Sequence, residues 1–161
     1  IVTEDLGDPV SLETLTRNWS SQPPSIELKR ALIARLANVT RTMHQGGVNH
    51  RDFYLCHFLM HNYQNPDPDH LKLSLIDLHR AQIRKRVPRR WRDKDLAALY
   101  FSALHIGLTQ RDLLRFLKIY FSAPLRQILT NEKPMFLRLQ RKALQLKEIY
   151  QRKYAPFAQE E

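Results

Sequence analysis

The chain has 161 residues, 43% of them hydrophobic and 26% charged, which excludes a disordered tail or a fibre and suffices for one domain with a buried core. Lysine and arginine number 26 against 16 acidic residues, a formal charge of +10, so the surface attracts polyanions: nucleic acid, anionic lipid head groups or phosphorylated glycans. A single cysteine, Cys56, excludes an internal disulfide, and the most apolar stretch, 96–108, falls short of the ~20 residues of a membrane span. The opening ten residues already hold three acids, unlike a secretory signal, so a cytoplasmic protein is expected.

In chain order, Ile1-Val2-Thr3 reads as the end of a strand that began earlier. Ser11 can cap a short helix through Trp19, with Glu13 at its positive end. Pro23-Pro24 breaks that helix, and Ser25 starts a longer one. In it Ile26, Leu32, Ile33, Leu36, Ala37 and Met43 recur at helical spacing until Gly46-Gly47. A polar segment, 48–52, follows. Tyr54–Met60 reads as a buried strand, Asn62–His70 as a turn, and 71–76 as a second hairpin strand that ends on Asp77. Three helices are expected after the basic stretch 80–94: about Asp93 to Ile106, Gln110 to Phe121, and about Glu132 to Tyr154. Thr109 and Asp112 form a capping box for the second.

The residues with chemical potential lie around the hairpin. Asp52 and Asp77 stand 25 residues apart, and the hairpin between them can fold both carboxylates into one cleft. Phosphoryl transfer uses such a pair, one carboxylate for the attacking hydroxyl's proton and one for Mg²⁺. His50-Arg51-Asp52 is the H-R-D tripeptide of a kinase catalytic loop. No glycine-rich phosphate loop accompanies it. His44, His50, Cys56, His57 and His61 also invite a zinc reading. On a strand over 54–60, however, His57 and His61 would lie about 13 Å apart and could not share an ion.

Longer strings carry a specific likeness. Residues 47–59 (GVNHRDFYLCHFL), 75–84 (LIDLHRAQIR), 86–96 (RVPRRWRDKDL), 106–112 (IGLTQRD) and 120–124 (YFSAP) closely resemble the lipopolysaccharide core heptose(I) kinases of Gram-negative bacteria. The resemblance implies a mainly α fold with a small β-hairpin, the C-terminal lobe of a protein-kinase-like fold whose N-terminal lobe is absent. Residues 1–8 would be the inter-lobe linker and 47–80 the catalytic loop and metal-binding hairpin. A basic loop at 80–94 and a helical subdomain at 93–154 would complete the lobe. It implies ATP and Mg²⁺ as cosubstrate and cofactor, and transfer to a hydroxyl of an inner-core heptose. Asp52 would be the catalytic acid/base, with His50, Arg51 and Asp95 supporting its loop. Asp77, in an Asp-Leu-His version of Asp-Phe-Gly, would hold the metal, and the backbones of Glu4 and Leu6 would meet adenine.

Two departures stand out. Five residues after Asp52, where a kinase loop carries a metal-binding Asn, this chain has His57, a nitrogen ligand ill matched to hard Mg²⁺ and better suited to hydrogen-bonding Asp52 or Asp77. The strand lysine and glycine loop that grip phosphates are absent, so these residues alone are expected not to turn over ATP.

Eight basic residues in fifteen exceed what solubility requires. Arg80, Arg84, Arg86, Arg89 and Arg90 are the candidate acceptor-binding residues. They would gather phosphorylated core glycolipid and hold the enzyme peripherally on the anionic inner membrane. The alternatives are a non-catalytic kinase-like module that binds an acidic protein partner, against which the retention of both Asp52 and Asp77 argues, and a basic nucleic-acid-binding helical domain. Nucleic acid is not expected, because the charge clusters around Pro88 and no recognition-helix motif is present.

Overall fold

The computed structural model describes residues 8–154 as a mainly helical fold with two small sheets. Strand β1 (Val10–Ser11) leads into the five-residue helix α1 (Leu12–Thr16), where Ser11 Oγ caps the Thr14 amide. A turn occupies 17–21 in place of the expected continuation to Trp19, closed by bonds from the Trp19 amide to the Thr16 carbonyl and from the Gln22 amide to the Asn18 carbonyl. Helix α2 (Ile26–Gln45) begins on a Ser25 cap and stops at Gly46-Gly47, as its caps predict.

Strand β2 (Val48–Asn49) enters the polar segment. The apolar run after it is not a continuous strand. Leu55–His57 forms a 3₁₀ turn, and only β3 (Phe58–Met60) is extended. The turn aims Leu55 at the core and His57 at the catalytic segment, which strand alternation would not allow together. Strand β4 (Leu73–Leu75) pairs antiparallel with β3, Phe58 opposite Leu75, and β1 completes this sheet on the other edge of β3. A second 3₁₀ turn, Leu78–Arg80, precedes β5 (Gln82–Ile83), which pairs with β2.

Gly47 makes that second pairing possible. Its φ is +81°, and a Cβ there would lie 1.9 Å from the Arg84 carbonyl oxygen. Arg84 in turn donates its amide to the Gly47 carbonyl at 2.9 Å.

Helix α3 (Arg89–Ser102) starts at Pro88, so residues 89–94 of the expected basic loop are its first turns. The ring of Pro88 fixes φ for helix entry, which the charge run disguises. Helix α4 (Gln110–Phe121) carries the reciprocal capping box of Thr109 and Asp112. A short helix, α5 (Leu125–Asn131), lies unforeseen before α6 (Lys133–Tyr154). No described helix is long and apolar enough to cross a membrane.

One core cluster joins the sheet to the helices through Leu12, Leu32, Phe53, Phe58, Met60 and Leu99. Each such side chain contributes about 1.5–3 kcal/mol by leaving water. A second cluster, Ala37, Leu96, Tyr120 and Met135, ties α2, α3, α4 and α6 together. Beside them lies an apolar cavity of about 430 Å³ lined by Leu36, Leu99, Leu113, Phe116, Phe136 and Leu139. Arg92 and Arg138 both pair with the buried Asp93, which pins α6 to α3 by charge as well as packing.

Candidate active site

The segment 50–52 is held from behind by one buried carboxylate. Asp95, 1% exposed, accepts the amides of His50 and Arg51, each at 2.8 Å. Its Oδ2 also meets His44 Nε2 at 3.3 Å, and His44 Nδ1 meets the Tyr120 hydroxyl at 2.7 Å. Burial pushes the Tyr120 phenol well above its ordinary value, so it stays neutral beside Asp95. Arg51 sits at φ +78°, a left-handed conformation that an L-residue keeps only when its surroundings hold it. Two charge-assisted bonds from Asp95 do so, and the Arg51 guanidinium lies over the Trp91 ring, 5.5 Å from its centroid.

His50 is wholly buried and works as a spacer. The Asp52 amide donates to its Nδ1 at 3.3 Å, so the proton lies on Nε2, which donates to the Ile76 carbonyl at 2.9 Å. The residue before Asp77 is thereby fastened to the residue before Arg51. The His57 ring stacks on His50, with centroids 5.6 Å apart. His57 Nδ1 donates to the Asp52 carbonyl at 2.6 Å, and its Nε2 faces Asp77 Oδ2 at 3.3 Å. His57 thus bridges the main chain of Asp52 and the carboxylate of Asp77.

Asp77 occupies the left-handed region at φ +62°, heads the 3₁₀ turn and is partly exposed. Its carboxyl is held below the ordinary Asp value chiefly by a hydrogen bond from His79, with the nearby His79 and His57 adding to it electrostatically. Tyr54, two residues after Asp52, is half-buried between His57 and Phe101. Burial first, and Asp52 second, raise its hydroxyl above the usual phenol range.

The five candidate arginines do not form one patch. Arg80 Nη1 lies 2.9 Å from both oxygens of Asp52. Arg84 pairs with Gln82, and Arg90 lies over Trp91. Arg86 and Arg89, with Arg41, Arg92, Tyr120 and Glu132, line a separate polar cavity of about 790 Å³. Glu4 and Leu6 lie outside the described residues. The strand spacing that argued against zinc does not apply, because 55–57 is a 3₁₀ turn, but the histidines part for another reason: His57 turns to Asp52 and Asp77 while His61 Nε2 meets Ser74 Oγ at 2.8 Å, and no metal-binding cluster forms among the described residues.

Sequence reasoning named His44 only as a zinc candidate and missed the supporting roles of His44, Tyr120 and Ser102. Ser102 Oγ accepts the Leu55 amide at 3.1 Å and donates to the Leu99 carbonyl. Only a polar residue on an otherwise apolar helix face hints at such roles.

Over residues 1–120 the chain matches the model of the lipopolysaccharide kinase (Kdo/WaaP) family. It is 56% identical over 153 residues to the lipopolysaccharide core heptose(I) kinase WaaP of Escherichia coli K12, which covers 95% of this chain and 58% of that protein. With the enzyme of the same name from Pseudomonas aeruginosa it shares 54% over 152 residues, 94% of this chain and 57% of the relative. Among solved structures, WaaP in complex with acyl carrier protein superposes with a TM-score of 0.85 at 54% identity, covering 91% of this chain and 61% of that one. The chain therefore spans less than two thirds of the relatives it matches. Sequence and fold together place it in the lipopolysaccharide kinase (Kdo/WaaP) family.

Proposed function

We propose that this chain is the catalytic C-terminal lobe of an ATP-dependent kinase that phosphorylates an inner-core heptose hydroxyl of lipopolysaccharide. The observation that supports the reading is that His57 links the Asp52 backbone carbonyl to the Asp77 carboxylate, on a segment clamped by Asp95. Asp52 takes the proton of the attacking hydroxyl, and the clamp from Asp95 keeps its carboxylate where that hydroxyl arrives.

The residues present fit Mg²⁺. This ion keeps several waters and needs only one or two protein carboxylates besides phosphate oxygens, and Asp77 is a partly exposed carboxylate held ionised. Asp77 would hold the metal, which neutralises charge on the phosphates. His57, with its Nδ1 proton committed to the Asp52 carbonyl, orients Asp77 rather than replacing an oxygen ligand.

The nucleotide's phosphates and adenine need further groups, so turnover requires an N-terminal lobe joined through the linker at 1–8, where Glu4 and Leu6 lie. Arg84, Arg86, Arg89 and Arg90 draw the anionic glycolipid and hold the enzyme at the cytoplasmic face of the inner membrane. The chain's net charge of +10 suits an acidic protein partner, in keeping with the relative solved with acyl carrier protein.

The test is transfer of labelled phosphate from ATP to unphosphorylated core lipopolysaccharide by the full-length protein, with Asp52→Ala as control. Transfer that vanishes in the variant supports the reading. A folded, nucleotide-binding protein that labels nothing refutes it.

A further inference from the structure

We propose that Arg80 is a catalytic residue for the phosphoryl transfer inferred above, alternating between Asp52 and the phosphoryl group in flight. The inference rests on the reading of Asp52 and Asp77 as kinase acids.

The segment that carries Asp52 lacks a cation of its own at the carboxylate. Arg51 is committed to the Trp91 ring on the far side. His50 is buried between the Asp52 amide and the Ile76 carbonyl. His57 gives its Nδ1 proton to a backbone carbonyl. Tyr54 is a half-buried phenol packed between His57 and Phe101. The positive charge at Asp52 comes instead from Arg80, 28 residues further along, through Nη1 at 2.9 Å from each oxygen.

Arg80 closes the 3₁₀ turn that Asp77 opens. Four consecutive residues thus carry both the metal-site carboxylate and this guanidinium. Only Nη1 is engaged with Asp52, while a guanidinium has five donors in a planar fork that matches phosphate oxygens. The side chain is 46% exposed and free to pivot.

In the transfer, the acceptor's oxygen bonds to phosphorus as its proton passes to an Asp52 oxygen. The bond from phosphorus to the nucleotide's bridging oxygen breaks, and ADP departs with that electron pair. Negative charge spreads over the non-bridging oxygens of the phosphoryl group meanwhile. With Nη1 astride both Asp52 oxygens, Arg80 stands on the hydroxyl's approach. A phosphoryl group draws the guanidinium away, which frees Asp52 and puts a cation on the developing charge. Arg80 therefore serves the chemical step rather than the grip on the glycolipid.

The experiment compares Arg80→Ala and Arg80→Lys in the full-length protein, by steady-state transfer to core lipopolysaccharide and by equilibrium binding of ADP and of a non-hydrolysable ATP analogue. The ion pair is exposed and contributes little to folding, so both variants are expected to melt with the parent. For Arg80→Ala, kcat is expected to fall about a hundredfold or more, with the glycolipid KM unchanged. Methylguanidine should restore part of that loss, and analogue binding should weaken while ADP binding holds. The lysine variant should fall between parent and alanine. A raised glycolipid KM at parental kcat would overturn the proposal and make Arg80 an acceptor-binding residue. Parental values for kcat and for analogue binding would overturn it equally. If the unsubstituted protein binds nucleotide yet labels no glycolipid, the kinase reading falls, and this proposal with it.

Discussion

Gly47→Ala offers a demanding test of how the catalytic segment is supported. A residue with a Cβ at φ +81° costs about 1–2 kcal/mol in local strain. Steric overlap costs more. The new Cβ would stand 1.9 Å from the Arg84 carbonyl oxygen, against an ordinary contact of 3.4 Å or more, so β2 and β5 must separate by well over an ångström. That opening breaks the Arg84-to-Gly47 hydrogen bond and loosens the Val48–Ile83 pair, at about 0.5–1.5 kcal/mol per bond lost. The total, about 3–5 kcal/mol, is a large share of the roughly 5–15 kcal/mol that holds a domain folded. Gly107→Ala is the matched control. Its φ is +75°, and the nearest atom, Ser20 Cα, is 3.2 Å away, so beyond the strain of about 1–2 kcal/mol the backbone need give only a few tenths of an ångström. Urea denaturation of both variants in the full-length protein, followed by far-ultraviolet circular dichroism, measures the difference. Equal losses at the two glycines would refute the argument that β2 and β5 meet closely because position 47 lacks a side chain.

Two further outcomes follow from buried carboxylates. Asp95→Asn turns an amide N–H toward one of the two backbone amides that the acid accepts. We expect a loss of about 2–4 kcal/mol and faster hydrogen exchange across 48–55, read by mass spectrometry; unchanged exchange there would refute the clamp. Asp112 is raised by burial but lowered more by the Thr109 amide and hydroxyl and by Lys29, so its folded pKa lies below the ordinary 3.8. Its stabilisation is therefore complete above that value and fades as pH falls through the lower folded pKa. The stability gap between parent and Asp112→Asn should be wide at pH 7 and shrink in acid below 3.8. A gap independent of pH would refute it.

Local grammar made much of the fold legible. Ser25, the Gly46-Gly47 stop and the Thr109 box mark helix ends with groups that satisfy backbone amides or permit φ reversal, and α2 and α4 fall where these residues put them. The 3₁₀ turn at 55–57 was illegible, because a turn of three residues leaves no period and its neighbours are as apolar as a strand. The start of α3 was hidden for another reason. Its first turns hold Arg89, Arg90 and Arg92, and the buried positions that reveal its phase include Asp93 and Asp95. Their main partners are remote in sequence: Arg138 lies 45 residues from Asp93, and the amides of His50 and Arg51 lie 45 and 44 residues from Asp95. The same distance problem applies at the site. Asp52 and Asp77 could be named from their motifs, but the Arg80 contact and the His44–Tyr120 chain are products of tertiary folding.

Helix α3 touches the catalytic segment twice, through Asp95 at His50 and Arg51 and through Ser102 at Leu55. These two anchors are seven residues apart, about 10 Å of rise and almost two complete turns, so both project from the same side of the cylinder. The helix is thus a ruler against which the intervening stretch is cut to length. The buried residues between the anchors, Leu96, Ala97, Ala98 and Leu99, fix its packing, and their count fixes its length. A single residue inserted between 95 and 102 would swing one anchor by about 100° away from its amide. Insertions in the surface turn at 61–70, by contrast, would leave the gauge untouched.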